Sequence, residues 1–238
     1  MTAITEHDTA TATRILAAAR ELLLKRGVKG LTVAEIAQRS HVGKGTAYLY
    51  WATKEDLLFG LVARDFLAVL DHEIAALTAD PDLARPHRLC PHLIHTALDN
   101  PFVRALQTGD TDLLGILAKH RRSKELLDLL GPAALMYTVL PVWRRHGLAR
   151  TDWSLDDQAY ALQALMIGFL ETTTTRIPVL HNVNVDEPDK VMAAAVTALL
   201  GPDQADPAQL RATANEGLTL LAERRQSVLA LIGSQHSR

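Results

Sequence analysis

An all-α fold in two parts, a small helix-turn-helix unit leading into a larger helical body, is predicted by three observations. No segment alternates apolar and polar residues over five or more positions, as a half-buried strand would. Apolar residues instead recur at three- and four-residue spacing along most of the chain, the period of a helix with one buried face. The charge is also unevenly shared. Residues 1–54 hold eight Lys/Arg and four Asp/Glu, a net +4, whereas residues 55–238 hold 17 and 23, a net −6. A basic part on a chain of overall charge −2 points to an acidic partner for that part. The boundary is placed there, between a basic unit at 1–54 and an acidic body at 55–238.

The elements follow in order. A first helix is expected over residues 11–26, with Ile15, Ala19, Leu22 and Leu23 on one face and Gly27 ending it in a left-handed cap. Thr32 opens a short helix, and Glu35 three residues on completes a capping box. A turn at residues 40–43 leads to a second short helix over 44–50. Thr53, with Asp56 at the third position, starts a longer helix reaching about residue 77. Residues 78–91 are rich in Pro and Asp and read as a loop. Helical stretches are then expected near 92–99, 101–107, 111–121, 124–130 and 132–146, with Pro141 kinking the last and Gly147 stopping it. Further helices are expected over 154–175, 188–200 and 208–232. The final one carries an apolar stripe of Leu210, Leu218, Leu221, Val228 and Ile232, suited to extending a dimer or covering the body.

Residues 42–54, VGKGTAYLYWATK, spend three aromatics within four positions on a lysine-flanked stretch. Two short helices joined by a tight turn, with one helix before them, place the second short helix in a DNA major groove. Its outward face must be small or polar at the front, which Gly43, Lys44, Gly45 and Thr46 supply. Ala47 and Trp51 form the hidden face. Tyr48 and Tyr50 each offer a hydroxyl to a phosphate or base edge and a ring to a thymine methyl. Thr32 and Thr53 stand at helix N-termini, where free N–H groups favour a phosphate, and Lys54 adds charge.

At these residues the sequence resembles the TetR family of transcriptional regulators. The resemblance is carried by T-x-x-x-I-A at 32–37, V-G-K-G-T-A-Y-L-Y-W at 42–51 and T-K-E-D-L at 53–57, and it covers about residues 11–60. It implies a homodimer with an N-terminal DNA-binding domain, here residues 1–54, a C-terminal ligand-binding and dimerisation domain, here residues 55–238, and repression relieved by a small molecule. By position it puts Lys44, Gly45, Thr46, Tyr48 and Tyr50 on the recognition helix and Thr32 and Lys54 on phosphates. Two positions depart from the family pattern. His41 stands where glycine is common in the turn, and Gly43 replaces the usual Ser or Thr cap.

In the body, Phe66, Phe102, Leu106, Leu114, Leu117, Tyr137, Leu140, Met166 and Phe169 are the expected ligand-lining residues, Met166 and Tyr137 foremost. Their apolar character points to an apolar ligand. Ala164 and Gly168, four apart, and the stripe of Val191, Ala194, Ala195 and Ala198 suit close helix packing across a dimer interface. Such stripes also suit packing within one chain.

Residues 87–95, HRLCPHLIH, bring His87, Cys90, His92 and His95 within nine positions, which keeps a metal-responsive regulator open as an alternative. The bland reading is a loop-to-helix junction with solvent-facing histidines, so no metal and no cofactor is assigned. Gly43-Lys44-Gly45-Thr46 lacks the spacing and preceding strand of a phosphate loop. His72-Glu73 lacks the second histidine of a zinc-protease helix, and no G-x-S-x-G occurs. Catalysis has no positive support, so an enzyme or ligand-carrying helical protein with an incidental basic N-terminus ranks last. One cysteine, no run of eighteen apolar residues and no signal-peptide pattern fit a cytoplasmic protein without a membrane partner.

Overall fold

The computed structural model describes residues 9–27, 30–108, 112, 115, 117, 120–174, 185–201 and 205–233, and every regular element among them is helical. The head comprises α1 (Ala10–Arg26), α2 (Val33–Arg39) and α3 (Lys44–Tyr50). The body holds α4 (Lys54–Ala79), a short 3-10 turn (Pro81–Ala84), α5 (Pro86–Asp99), α6 (Pro101–Thr108), α7 (Ser123–Leu130), α8 (Pro132–Arg145), α9 (Leu155–Thr174), α10 (Pro188–Leu200) and α11 (Pro207–Gly233). Between α6 and α7, residues 112, 115 and 117 are described and helical.

The head forms where local signals and burial agree. Ile15, Leu16, Ala19, Leu22 and Leu23 of α1 share one buried cluster with Val33, Ile36 and Ala37 of α2 and Ala47 of α3, and α2 packs on both α1 and α3. The Thr32 hydroxyl accepts from the Glu35 N–H at 3.2 Å, and a Glu35 carboxylate oxygen accepts from the Thr32 N–H at 3.1 Å, closing the capping box. The turn after α2 is a Schellman cap. The N–H of Val42 donates to the Ala37 carbonyl and that of His41 to the Gln38 carbonyl. That geometry needs a left-handed residue, and His41 sits there at φ 55°. A histidine tolerates this conformation less well than the glycine common at this place. At the end of α1, Gly27 has φ 67° and ψ −171°, an extended mirror conformation rather than the left-handed helical cap expected.

α4 spans both parts. Leu57, Leu58, Phe59, Leu61, Val62 and Ala63 are buried near its start, Phe66, Leu70 and Leu77 further along. α11 packs along α4 in the opposite direction: Arg225 donates to Asp71 at 2.5 Å, and Gly217 lies against Leu77. Its buried Leu210, Val228 and Ile232 cover the body. α5 packs most closely on α10 and also on α9.

The expected loop at 78–91 is a correction. α5 already begins at Pro86, and a 3-10 turn fills the gap. Pro86 takes the first helical position, where its missing N–H costs nothing. Pro91 lies inside the helix and leaves the His87 carbonyl without its usual helical donor. The burial of Pro86, Cys90, Ile94 and Ala97 along one face offsets that loss. α8 likewise runs through Pro141 as one element.

Candidate DNA-reading head and ligand chamber

On α3, Ala47 is fully buried and Trp51 beyond its end is 3% exposed, so this side seats the helix in the head. Lys44, Gly45, Tyr48 and Leu49 face solvent, and Thr46 is half-buried. The Lys44 ammonium lies 5.9 Å from the centre of the Tyr48 ring, so charge and aromatic face form one patch. Tyr50 departs from the outward orientation expected of it. It is half-buried, its hydroxyl hydrogen-bonds the Thr9 hydroxyl at 3.0 Å, and its ring leans on Trp51. Leu49, 86% exposed, takes the outward place instead.

The two helix starts are polar but internally engaged. Thr32 is exposed, yet its hydroxyl and its N–H both donate to Glu35. Thr53 donates to the Asp56 carboxylate at 2.8 Å and accepts the Asp56 N–H at 3.0 Å. Lys54 is half-buried at the first position of α4.

Asp56 also joins head to body. Its other carboxylate oxygen lies 3.2 Å from Nε2 of His120, whose ring stacks on Phe59 at 4.0 Å between centroids. The Arg122 N–H donates to His120 Nδ1, so the neutral ring carries its proton on Nε2 and gives it to Asp56. Burial holds the His120 pKa below its usual value, against the pull of Asp56 and with help from Arg121 and Arg122. Protonation would also set a second N–H against that of Arg122. A base depressed in the folded state binds fewer protons than when unfolded, so stability rises with pH. It is complete above the ordinary histidine range near 6.5 and is lost as pH falls through the lowered folded value. Melting temperatures between pH 8 and pH 5 should fall less steeply in His120→Asn than in the unaltered chain; equal slopes would refute this role.

In the body, a largely apolar cavity lies among α4, α5, α8, α9 and α11. One lobe, open at its mouth, is lined by Phe66, Leu70, Met136, Met166, Ile167 and Leu170, among others. A second lobe is lined by Leu77, Leu89, Val139, Trp143 and Leu220, among others. Glu73, Leu93, Leu221 and Arg224 border both. The chamber's polar groups, Glu73, Thr96, Thr138, Gln163, Thr213 and Arg224, escaped the sequence reading, which sought apolar side chains. Arg224 donates to the Thr138 hydroxyl at 2.5 Å, and burial lowers its pKa.

The sequence-predicted lining residues divide. Phe66 and Met166 face the chamber. Leu140 is fully buried and, with Met166, Cys90 and Trp143, borders a smaller space beside it. Phe102 is buried under the Arg20 guanidinium, 5.8 Å from its ring, and Leu117 is core; neither lines the chamber. Phe169 is half-buried and also outside the lining. Tyr137 is corrected: it is 50% exposed and its hydroxyl donates to Asp156 at 3.0 Å on the surface. Leu114 and the side chain of Leu106 lie outside the described residues.

The small-residue stripes are open. Ala164 and Gly168 on α9 and Val191, Ala194 and Ala198 on α10 are exposed in the single chain, and Ala195 is half-buried. Tyr160, 78% exposed, stands one turn before Ala164.

Among the described residues, His87, Cys90, His92 and His95, the residues of the metal-responsive alternative, do not gather into one ligand cluster. His95 hydrogen-bonds Asp189 at 2.9 Å, and His92 approaches Glu73 at 3.0 Å. Cys90 is buried, which pushes its thiol pKa up to about 12. At about 100° per helical residue, Cys90 and His92 point to nearly opposite sides of α5. Among the described residues, no helix is long and apolar enough to cross a membrane.

The family model described as "Bacterial regulatory proteins, tetR family" matches residues 15–61, the head and the first turns of α4. The HTH-type transcriptional repressor BepR of Brucella suis biovar 1 (strain 1330) is 29% identical over 165 residues, covering 66% of this chain and 77% of BepR. The HTH-type transcriptional regulator YdeS of Bacillus subtilis (strain 168) is 40% identical over 68 residues, 27% of this chain and 34% of YdeS. Among solved structures, the fatty acid degradation regulator FadR from Bacillus halodurans superposes with a TM-score of 0.53 at 18% identity, covering 84% of this chain and 99% of that one, a likeness of fold. The head, in its sequence over residues 15–61 and its three-helix geometry, is thus similar to the tetR family of bacterial regulatory proteins.

Proposed function

We propose that this protein is a homodimeric, ligand-responsive repressor that reads a near-palindromic operator with the α3 of each copy. The observation that carries this reading is α4. One unbroken helix starts under the DNA-reading head and ends in the wall of an apolar chamber. Residues 1–54 serve as the DNA-binding domain and 55–238 as the ligand and dimer domain.

Lys44, Gly45, Thr46, Tyr48 and Leu49 form the reading surface, with Thr32, Lys54 and Tyr50 in support. The open α9 and α10 faces, with Ala164, Gly168, Val191, Ala194 and Ala198, join two copies as a four-helix bundle. Likeness to the repressor BepR favours repression as the output. The ligand is a small, mostly apolar molecule that binds one orientation of the heads better than the other. Only such a difference in affinity can shift the two-state balance. The reading makes the protein a regulator rather than an enzyme, working in the cytoplasm, where its DNA lies.

Fluorescence anisotropy on DNA from upstream of the chain's own gene tests this. If that DNA does not bind, operators selected from randomised DNA replace it. Binding should weaken steeply with salt, because lysine and arginine contacts release counterions from the phosphates. Tyr48→Ala should cost about 1–3 kcal/mol and alter sequence preference. Lys44→Ala should weaken binding and flatten the salt slope. Selection that enriches no sequence, or variants that bind like the unaltered chain, would overturn the reading.

A further inference from the structure

His72 and Glu73 on α4 and His92 on α5 bring one potential ligand atom each to within 4.8 Å of one another. The second histidine that the His72-Glu73 pair lacks in sequence is thus supplied by another helix. Glu73 is only 6% exposed. One of its oxygens accepts the Thr96 hydroxyl at 2.8 Å, and the other faces His92 Nε2 at 3.0 Å. The imidazoles of His72 and His92 lie nearly parallel, 10° apart, with centroids at 5.9 Å. A carboxylate buried this deeply is costly unless positive charge or several donors compensate it. Here one hydroxyl and one imidazole face it.

A surface groove reaches both imidazoles of the cluster, with Glu73 behind them. Its lining includes His72, His92, His95, Asp99 and Asn100, so an ion and its waters have a route in. Val69 and Thr96 border this groove and the chamber alike, and Glu73 lines both chamber lobes. The groove and the chamber are two sides of one wall.

We propose that His72, Glu73 and His92 form a binding site for one divalent transition-metal ion of the zinc type, completed by water. Two imidazoles and one carboxylate suit zinc and cobalt(II) better than magnesium or calcium, which prefer all-oxygen sets. Ligand bonds of about 2.0–2.2 Å place tetrahedral donors roughly 3.2–3.6 Å apart, so the cluster must contract by about 1 Å at its widest. His72 is exposed and free to make that movement. The bound ion clamps α4 to α5 and balances the Glu73 charge. It binds from the solvent side of the wall whose other side takes the ligand.

The test is titration of the metal-stripped, full-length chain with cobalt(II), followed by visible absorption, then displacement by zinc. The expected result is one ion per chain, with ligand-field bands that zinc abolishes and a zinc-dependent rise in melting temperature. Loss of a supporting group around a metal typically weakens binding by about 10–100-fold, so His72→Ala and His92→Gln, which remove ligands, should weaken it at least as much. His87→Ala, on the same helix but outside the cluster, should bind like the unaltered chain. His72→Ala removes an exposed side chain and decides the matter even if His92→Gln fails to fold. Absence of saturable binding, or binding unchanged by His72→Ala, overturns the site.

Discussion

Replacing Trp51 by alanine is expected to cost the head about 3–5 kcal/mol, the usual range for truncating a buried large aromatic. The head has little to set against such a loss. α2 and α3 have seven residues each, too short to be stable without tertiary packing. Trp51 ends α3, its N–H donates to the Ala47 carbonyl at 3.1 Å, and its side chain is 3% exposed within the core. Alanine keeps the backbone bond and removes the packing. Amide hydrogen exchange should show α2 and α3 losing protection while α9 and α10 keep theirs. DNA binding should fail with them, and Trp51→Phe should recover part of both. Protection of α3 unchanged by the alanine would show that the indole does not hold the helix in place.

Gly131→Ala is expected to destabilise the body by about 1–3 kcal/mol, the range for forcing extra atoms into a filled site. Backbone strain is not the reason, since φ −66° and ψ 161° suit any residue. The reason is contact: a Cβ at Gly131 would stand 2.5 Å from the Leu127 carbonyl oxygen. The Gly131 N–H already donates to that oxygen at 2.7 Å, so the backbone is pressed against the end of α7 before α8 begins at Pro132. The corner must open to admit a methyl group. Leu130 and Met136, on either side of it, line the chamber and should shift with it. The denaturant midpoint should drop with an unchanged slope. A midpoint equal to that of the unaltered chain would mean that the corner yields freely.

The head was legible in the sequence because its signals are local. Thr32 with Glu35, Thr53 with Asp56 and the 44–50 helix follow from caps and spacing within a few residues, and the structure places them there. Tyr50 was misread although the helical wheel held the answer. At about 100° per residue, Tyr48 and Leu49 lie about 100° and 160° from buried Ala47 on the wheel, whereas Tyr50 lies only about 60° from it and its hydroxyl reaches Thr9 at the start of α1. The choice of tyrosine over leucine followed chemistry rather than angle.

The body was legible as helices but not as a chamber. Which apolar side chains face a cavity depends on how five helices pack, and spacing within one helix does not carry that information. Tyr137 turned outward because Asp156, nineteen residues away, accepts its hydroxyl. The His72, Glu73 and His92 cluster was invisible for the same reason. Its members are sequence neighbours only in part.

α4 contains no proline, and its single glycine, Gly60, is buried within the unbroken helix between Thr53 and Glu73. At 1.5 Å per residue those positions are about 30 Å apart. A sideways push of about 1.5 Å on the chamber wall at Glu73 then turns the helix by roughly 3° if its start is held. The Asp56–His120 pair and the Arg20–Asp65 bond, at 3.0 Å between α1 and α4, are where such a turn meets resistance. On the proposed function the helix is a lever between chamber and head, held at polar contacts whose stiffness acidity and salt set.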